Sequence, residues 1–123
     1  MTKLVYIAHP IAGNVEENVR SVLDICKEIH SDHIIPIAPY LVALQYLSDH
    51  LTEERDLGIA ANQEFFRRGV MDEVWVCGSH ISEGMREEIK LALKYGIPIK
   101  CYSPDLQAEL NQVEKEHLQN KGR

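Results

Sequence analysis

Cysteine is scarce and unpaired in this sequence. Cys26, Cys77 and Cys101 are an odd set without CxxC spacing, each in an apolar stretch. That argues against a disulfide scaffold or a thiolate zinc site and for free thiols in a reducing compartment. Basic residues are also in short supply: 13 Lys and Arg stand against 19 Asp and Glu, a net charge of −6, and they are scattered. Nothing here tracks the phosphates of a nucleic acid polymer or an anionic membrane surface. A small phosphorylated ligand is still compatible, because backbone N–H groups at a helix start hold an anion without lysine or arginine. No apolar run approaches membrane-spanning length, and "MTKLVYIAHPIAG" carries no charged leader before a long apolar run, so a cytoplasmic protein with no membrane partner is expected. His9, His33 and His80 form no HxH or HxxxH pair, and "AHPIAGN" contains no GxGxxG. Neither a metal nor a cofactor is expected.

What is present is enough apolar material, 45% of 123 residues, for one compact core, and a single domain over residues 1–123 is expected. "KLVYIA" (3–8) is a nearly continuous apolar run suited to a central strand buried on both faces. Asn14 then opens a helix, with Glu17 in the capping-box position and Val15, Val19, Val22, Cys26 and Ile29 as its buried stripe. "HIIPIA" (33–38) is a second strand, placed at a sheet edge because Pro36 has no N–H to donate. A short helix or ordered loop follows over 40–48. The next helix spans 52–69, with Leu57, Ala60, Ala61, Glu64 and Phe65 near one face and arginines at its C-terminal end. "DEVWVCG" (72–78) is the third strand, 82–95 a helix, and "GIPIKCY" (96–102) contains the fourth strand. Ser103 and Pro104 open a last helix over about 104–119 through Leu106, Leu110, Val113 and His117, and the tail "NKGR" is expected to fray.

Strands alternating with helices imply an α/β fold: a three-layer, flavodoxin- or Rossmann-like sandwich around a four- to five-stranded parallel sheet. Ligands of such folds bind beyond the carboxyl ends of the strands, where the strand order reverses. The loops "HPIAG", "PYLVALQ" and "GSHISEG" are therefore the ones to inspect.

The third of these loops runs into two adjacent glutamates. Helical spacing sets Glu87 beside Glu83, Lys90 and Lys94, which is a solvent face, and Glu88 beside Gly84, Met85, Leu91, Ala92 and Tyr95, which is an inward face. A carboxylate on an apolar face is costly to bury ionised and should have a raised pKa. Glu88 is either a reactive group or a buried acid tied to Tyr6, Arg55 or a backbone amide. Gly78, Ser79, Ser82 and Gly84 surround the helix start, where an N-cap by Ser82 and anion binding are compatible.

"VYIAHPIAG", "DEVWVCG" and above all "SEGMREEIKLA" resemble the nucleoside 2-deoxyribosyltransferase superfamily, including its 2'-deoxynucleoside 5'-monophosphate N-glycosidase branch, over roughly residues 3–102. The resemblance implies that Glu88, in the S-x-G-x-x-x-E pattern, is a nucleophile attacking the anomeric carbon of a nucleoside or nucleoside 5'-monophosphate, and that Tyr6 hydrogen-bonds it. It further implies sugar or phosphate contacts from Ser82, Gly84 and Met85 and from the first loop, including His9, Pro10 and Gly13. Glu64 falls where family members carry a second carboxylate, usually aspartate, that protonates the leaving base. Asp72 reads as structural. The first loop lacks the glycine- and arginine-rich run of the monophosphate hydrolases, and the tyrosine-containing C-terminal segment of transferases is not evident, so hydrolysis is favoured over base exchange. A homodimer or higher homo-oligomer is also implied. A non-catalytic binder of a nucleotide-derived ligand, a sensor or a sponge, is the alternative from another class; it would keep Ser82, Gly84 and His9 and tolerate loss of Glu88.

Overall fold

The computed structural model describes residues 1–121. Four parallel strands form one sheet: β1 (Lys3–Ala8), β2 (Ile34–Ile37), β3 (Glu73–Val76) and β4 (Ile99–Cys101), in the order β2-β1-β3-β4. The helices are α1 (Val15–Ile29), α2 (Tyr40–Ala43), α3 (Thr52–Arg67), α4 (Glu83–Lys94) and α5 (Gln107–Lys121), the last preceded by a 3-10 turn at Pro104–Leu106. This is the expected three-layer α/β arrangement with a four-stranded sheet. No described helix is long and apolar enough to cross a membrane.

Strand alternation divides the core in two. Tyr6 and Ala8 of β1 and Val74 and Val76 of β3 face Phe66, Met85, Ile89 and Val113 on one side. Val5 and Ile7, with Trp75 and Cys77, face Val22, Ile25 and Cys26 of α1 on the other. β2 is an edge strand, as Pro36 required, and Pro36 pairs with Val5. Asp72 locks the start of β3: its carboxylate accepts the Leu4 N–H at 2.8 Å and its own N–H donates to the Leu4 carbonyl at 2.7 Å. Glu73, only 5% exposed, accepts from Lys3, Trp75 Nε1 and Lys100. Burial pushes its carboxyl up, and those three donors more than reverse the effect, leaving it at about 2.

Four local expectations are corrected. Asn14 occupies the N-cap of α1 but makes no side-chain cap; its amide instead donates to the Glu17 carboxylate, so the anticipated capping box does not form. Val15 is 42% exposed, and Ile25 joins the buried face of α1. The larger correction is α3, which turns Glu54, Gly58, Asn62 and Phe66 inward and leaves Leu57 60% exposed and Phe65 38% exposed. Apolar residues lie around much of this helix, so periodicity alone does not select a face. The choice is made by its neighbours: Phe66 stacks edge-on against Tyr6 with centroids 5.0 Å apart, and a side chain at Gly58 would meet Leu47 at 3.8 Å. At the C-terminus Asn120 and Lys121 complete α5 rather than fray; Gly122 and Arg123 lie outside the described residues.

The adjacent phenylalanines make a direct test. Phe66→Ala removes a fully buried ring and should cost about 3–5 kcal/mol in denaturant unfolding. Phe65→Ala should cost roughly 1 kcal/mol or less, and equal losses would contradict the assigned orientation of α3.

Candidate functional site

The chain leaves β1 for β2 on one side and then crosses back to β3 on the other, so the strand order reverses between β1 and β3. The loops at their carboxyl ends meet there. Gly78 has φ +97°, and a Cβ built on it would lie 2.7 Å from Pro10 Cδ and 3.4 Å from His9 Nε2. Only glycine fits this approach without displacing the first loop.

One turn into α4, Glu88 points at the β1 side of the core. Its carboxylate accepts from the Tyr6 hydroxyl and from Asn62 Nδ2, the latter at 3.0 Å, while Tyr6 Oη also stands 3.0 Å from Asn62 Oδ1. Tyr6 is fully buried, and Tyr40 stands edge-on to it at 6.0 Å with its hydroxyl given to the Ile7 carbonyl. Strand alternation brings Tyr6 to this face, α4 periodicity brings Glu88, and the inward face of α3 brings Asn62.

Burial pushes the Glu88 carboxyl up to about 7, against the hydrogen bonds of Tyr6 and Asn62, which hold it down. Burial, and next to it the Glu88 charge, raises the Tyr6 phenol well above its ordinary range. The phenol therefore remains a donor across the working pH range. Its single proton serves two acceptors. When Glu88 is ionised, Tyr6 and Asn62 both donate to it. When Glu88 is protonated, it can donate to Tyr6 Oη, and the phenol can turn its proton to Asn62 Oδ1. The cluster thus accepts either charge state with its polar groups paired, which suits a carboxyl that must titrate in place.

The other residues named from the sequence divide between several positions. Ser82 caps α4, its Oγ accepting the Met85 N–H at 3.3 Å, and the Ser82 N–H points back at Met85 Sδ at 3.4 Å. Met85 is 1% exposed in the core, so its visible work is packing and capping rather than contact with a ligand. Gly84 is exposed at the open helix start, and a Cβ there would meet nothing within 4 Å. Gly13 is likewise exposed, with φ +94°. Pro10 is buried against Gly78, and His9, 7% exposed, turns toward α1 and bonds Ser21. Glu64 does not join Glu88. It is paired with Arg67 and Arg68, the first of which does most to hold its carboxyl at about 2, and it lines a surface hollow with Lys94 and Tyr95. A group ionised to that degree is a poor proton donor near neutrality. Asn62, the second partner of Glu88, was not singled out by sequence reasoning. The available signal was its i+4 spacing between Gly58 and Phe66, legible only once Phe66 is known to be the buried ring.

A family profile described as a domain of unknown function (DUF7768) matches residues 3–102. The chain belongs to that family. The match spans all four strands and both helices that supply the Glu88 cluster, and stops before α5. No curated protein and no solved structure matches the chain.

The cluster is testable by itself. With carboxyl-labelled glutamate, Glu88 should titrate near pH 7 by NMR, and Tyr6→Phe or Asn62→Ala should raise that value, because each removes a donor to the ionised form. Titration in the ordinary glutamate range near 4.5 would contradict the assigned burial.

Proposed function

We propose that the chain cleaves the N-glycosidic bond of a nucleoside or nucleoside 5'-monophosphate, with Glu88 as nucleophile and Tyr6 and Asn62 as its positioning donors. The observation that carries this reading is the inward carboxylate of Glu88, bonded to Tyr6 and Asn62 and pushed up to about 7 by burial. A carboxylate in such surroundings is less solvated than in water and more reactive toward an electron-poor carbon. The resemblance of "SEGMREEIKLA" and "VYIAHPIAG" to the nucleoside 2-deoxyribosyltransferase superfamily supports the same residues, Glu88 and Tyr6.

The anomeric carbon forms a bond to a Glu88 oxygen as its bond to the base nitrogen breaks. Water then attacks the same carbon and releases the free sugar, or a second base takes the place of water. The open turn at Ser82–Gly84 is the proposed seat of the sugar or its phosphate, since free N–H groups at the start of α4 attract an anion and no side chain at Gly84 obstructs it. Glu64, ion-paired with Arg67 and Arg68, is not retained as the acid for the leaving base; a water takes that role in this reading.

Glu64, the acid expected for the leaving base, is engaged by Arg67 and Arg68 instead, which favours a second reading: a binder of a nucleotide-derived ligand that does not turn it over. A homodimer belongs to the first reading. Leu57 and Phe65 leave an apolar stripe exposed on α3, with Glu53 near its start and Arg68 at its end, so two antiparallel copies would oppose acid to base. Sedimentation at the mass of one chain would remove the dimer.

Chromatography of free base across nucleosides and their 5'-monophosphates, with and without a second base, tests the function. Wild type should release base, with kcat/KM rising as pH increases through about 7 because the nucleophile must be ionised. Glu88→Ala should lose at least about 10³-fold in turnover while still binding. No release from any substrate, with a thermal shift by one of them in both proteins, would establish the binder.

A further inference from the structure

Across the sheet from Glu88, on the α1 side, a second set of groups stands in the order of a nucleophilic relay. His9 Nδ1 lies 2.7 Å from the Pro10 carbonyl oxygen, and Nε2 lies 2.9 Å from Ser21 Oγ. A carbonyl only accepts, so Nδ1 carries the proton. Nε2 of the neutral ring is then an acceptor, and the Ser21 hydroxyl is its donor. The chain Oγ–H to Nε2, then Nδ1–H to a fixed acceptor, is the sequence of nucleophile, base and orienting group that activates a serine. The ring is held in place: it is 7% exposed and backed by Gly78, where a Cβ would touch Nε2 at 3.4 Å and press on Pro10 Cδ at 2.7 Å.

Ser21 itself remains partly exposed. With His9, Asn18, Ile25, Ser79 and Ser103 it lines an open surface hollow of about 400 Å³. Ser103 Oγ accepts the Gly78 N–H at 3.2 Å, which leaves its own O–H able to donate to a ligand in the hollow. Ile25 supplies an apolar wall, and the Glu17 carboxylate at the rim disfavours an anionic ligand.

We propose that Ser21 and His9 are a nucleophilic dyad that accepts the acyl group of a small, uncharged carboxylic ester. Ser21 Oγ bonds to the acyl carbon as its proton passes to His9 Nε2. The bond from that carbon to the alcohol oxygen breaks, and the departing alcohol takes the proton from Nε2. Water then attacks the acyl-serine, giving its proton to Nε2; the acid leaves and Ser21 Oγ recovers its proton. The site shares no residue with the Glu88 cluster and does not depend on the function proposed for it.

The test uses the full chain, a fluorophosphonate and p-nitrophenyl acetate. A phosphonyl adduct should map to the Ser21 peptide, with ester hydrolysis above background, and both should vanish in Ser21→Ala while its circular dichroism spectrum stays native. His9→Asn should slow labelling by about 10²-fold or more. Absence of any adduct on Ser21, or hydrolysis by Ser21→Ala equal to wild type, overturns the proposal whether or not the His9 variant folds.

Discussion

One phenolic proton, on Tyr6, stands between the Glu88 carboxylate and the Asn62 amide oxygen, and the packing of three elements is arranged around it. Tyr6 is on the central strand and fully buried, so its hydroxyl cannot be satisfied by water. A buried polar group without a partner costs about 1–3 kcal/mol. Either Asn62 from α3 or Glu88 from α4 avoids that penalty, and both are presented at the same point. Phe66, one turn after Asn62, fixes the phase of α3 against the Tyr6 ring, and Met85 and Ile89, flanking Glu88, fix the phase of α4. The hydrogen bonds and the apolar contacts therefore specify the same docking of both helices.

The strands were legible in the sequence because their apolar runs are short, β-branched and bounded by turn residues, and the edge position of β2 followed from Pro36 alone. Glu88 was legible as inward because α4 is cleanly amphipathic. The inward face of α3 was not, since Leu57, Ala60, Ala61 and Phe65 outnumber Phe66 and the deciding contacts come from Tyr6 of β1 and from Leu47 after α2. Glu64 enters as leaving-group acid only through the family resemblance, whereas Asn62 becomes visible only when the phase of α3 is set by Phe66. Glu73 was equally hidden: its lysine partners, Lys3 and Lys100, are separated from it by 70 and 27 positions and meet only through the strand register.

Strand alternation also explains why two distinct polar constellations coexist near one end of a small sheet. Tyr6 projects to the α3 and α4 side, whereas His9 turns toward α1, and Gly78 closes the gap between the two loops at the switch point. The crevice expected between β1 and β3 is filled by Pro10 against Gly78, so open space lies to the sides: at the start of α4 and in the hollow beside Ser21. The acidic surface suits neutral or backbone-bound anionic small molecules better than polymers.

The central claim is that Glu88 forms a covalent bond to a sugar carbon. A 2-deoxy-2-fluoro nucleoside tests it, because fluorine beside the anomeric carbon destabilises the oxocarbenium-like transition state and slows release of a glycosyl-enzyme. Proteolysis and mass spectrometry of the treated chain should find the fluorosugar on Glu88, with one equivalent of base released and no adduct in Glu88→Gln. Base released in many turnovers with no sugar on Glu88, and undiminished in Glu88→Gln, would contradict the account.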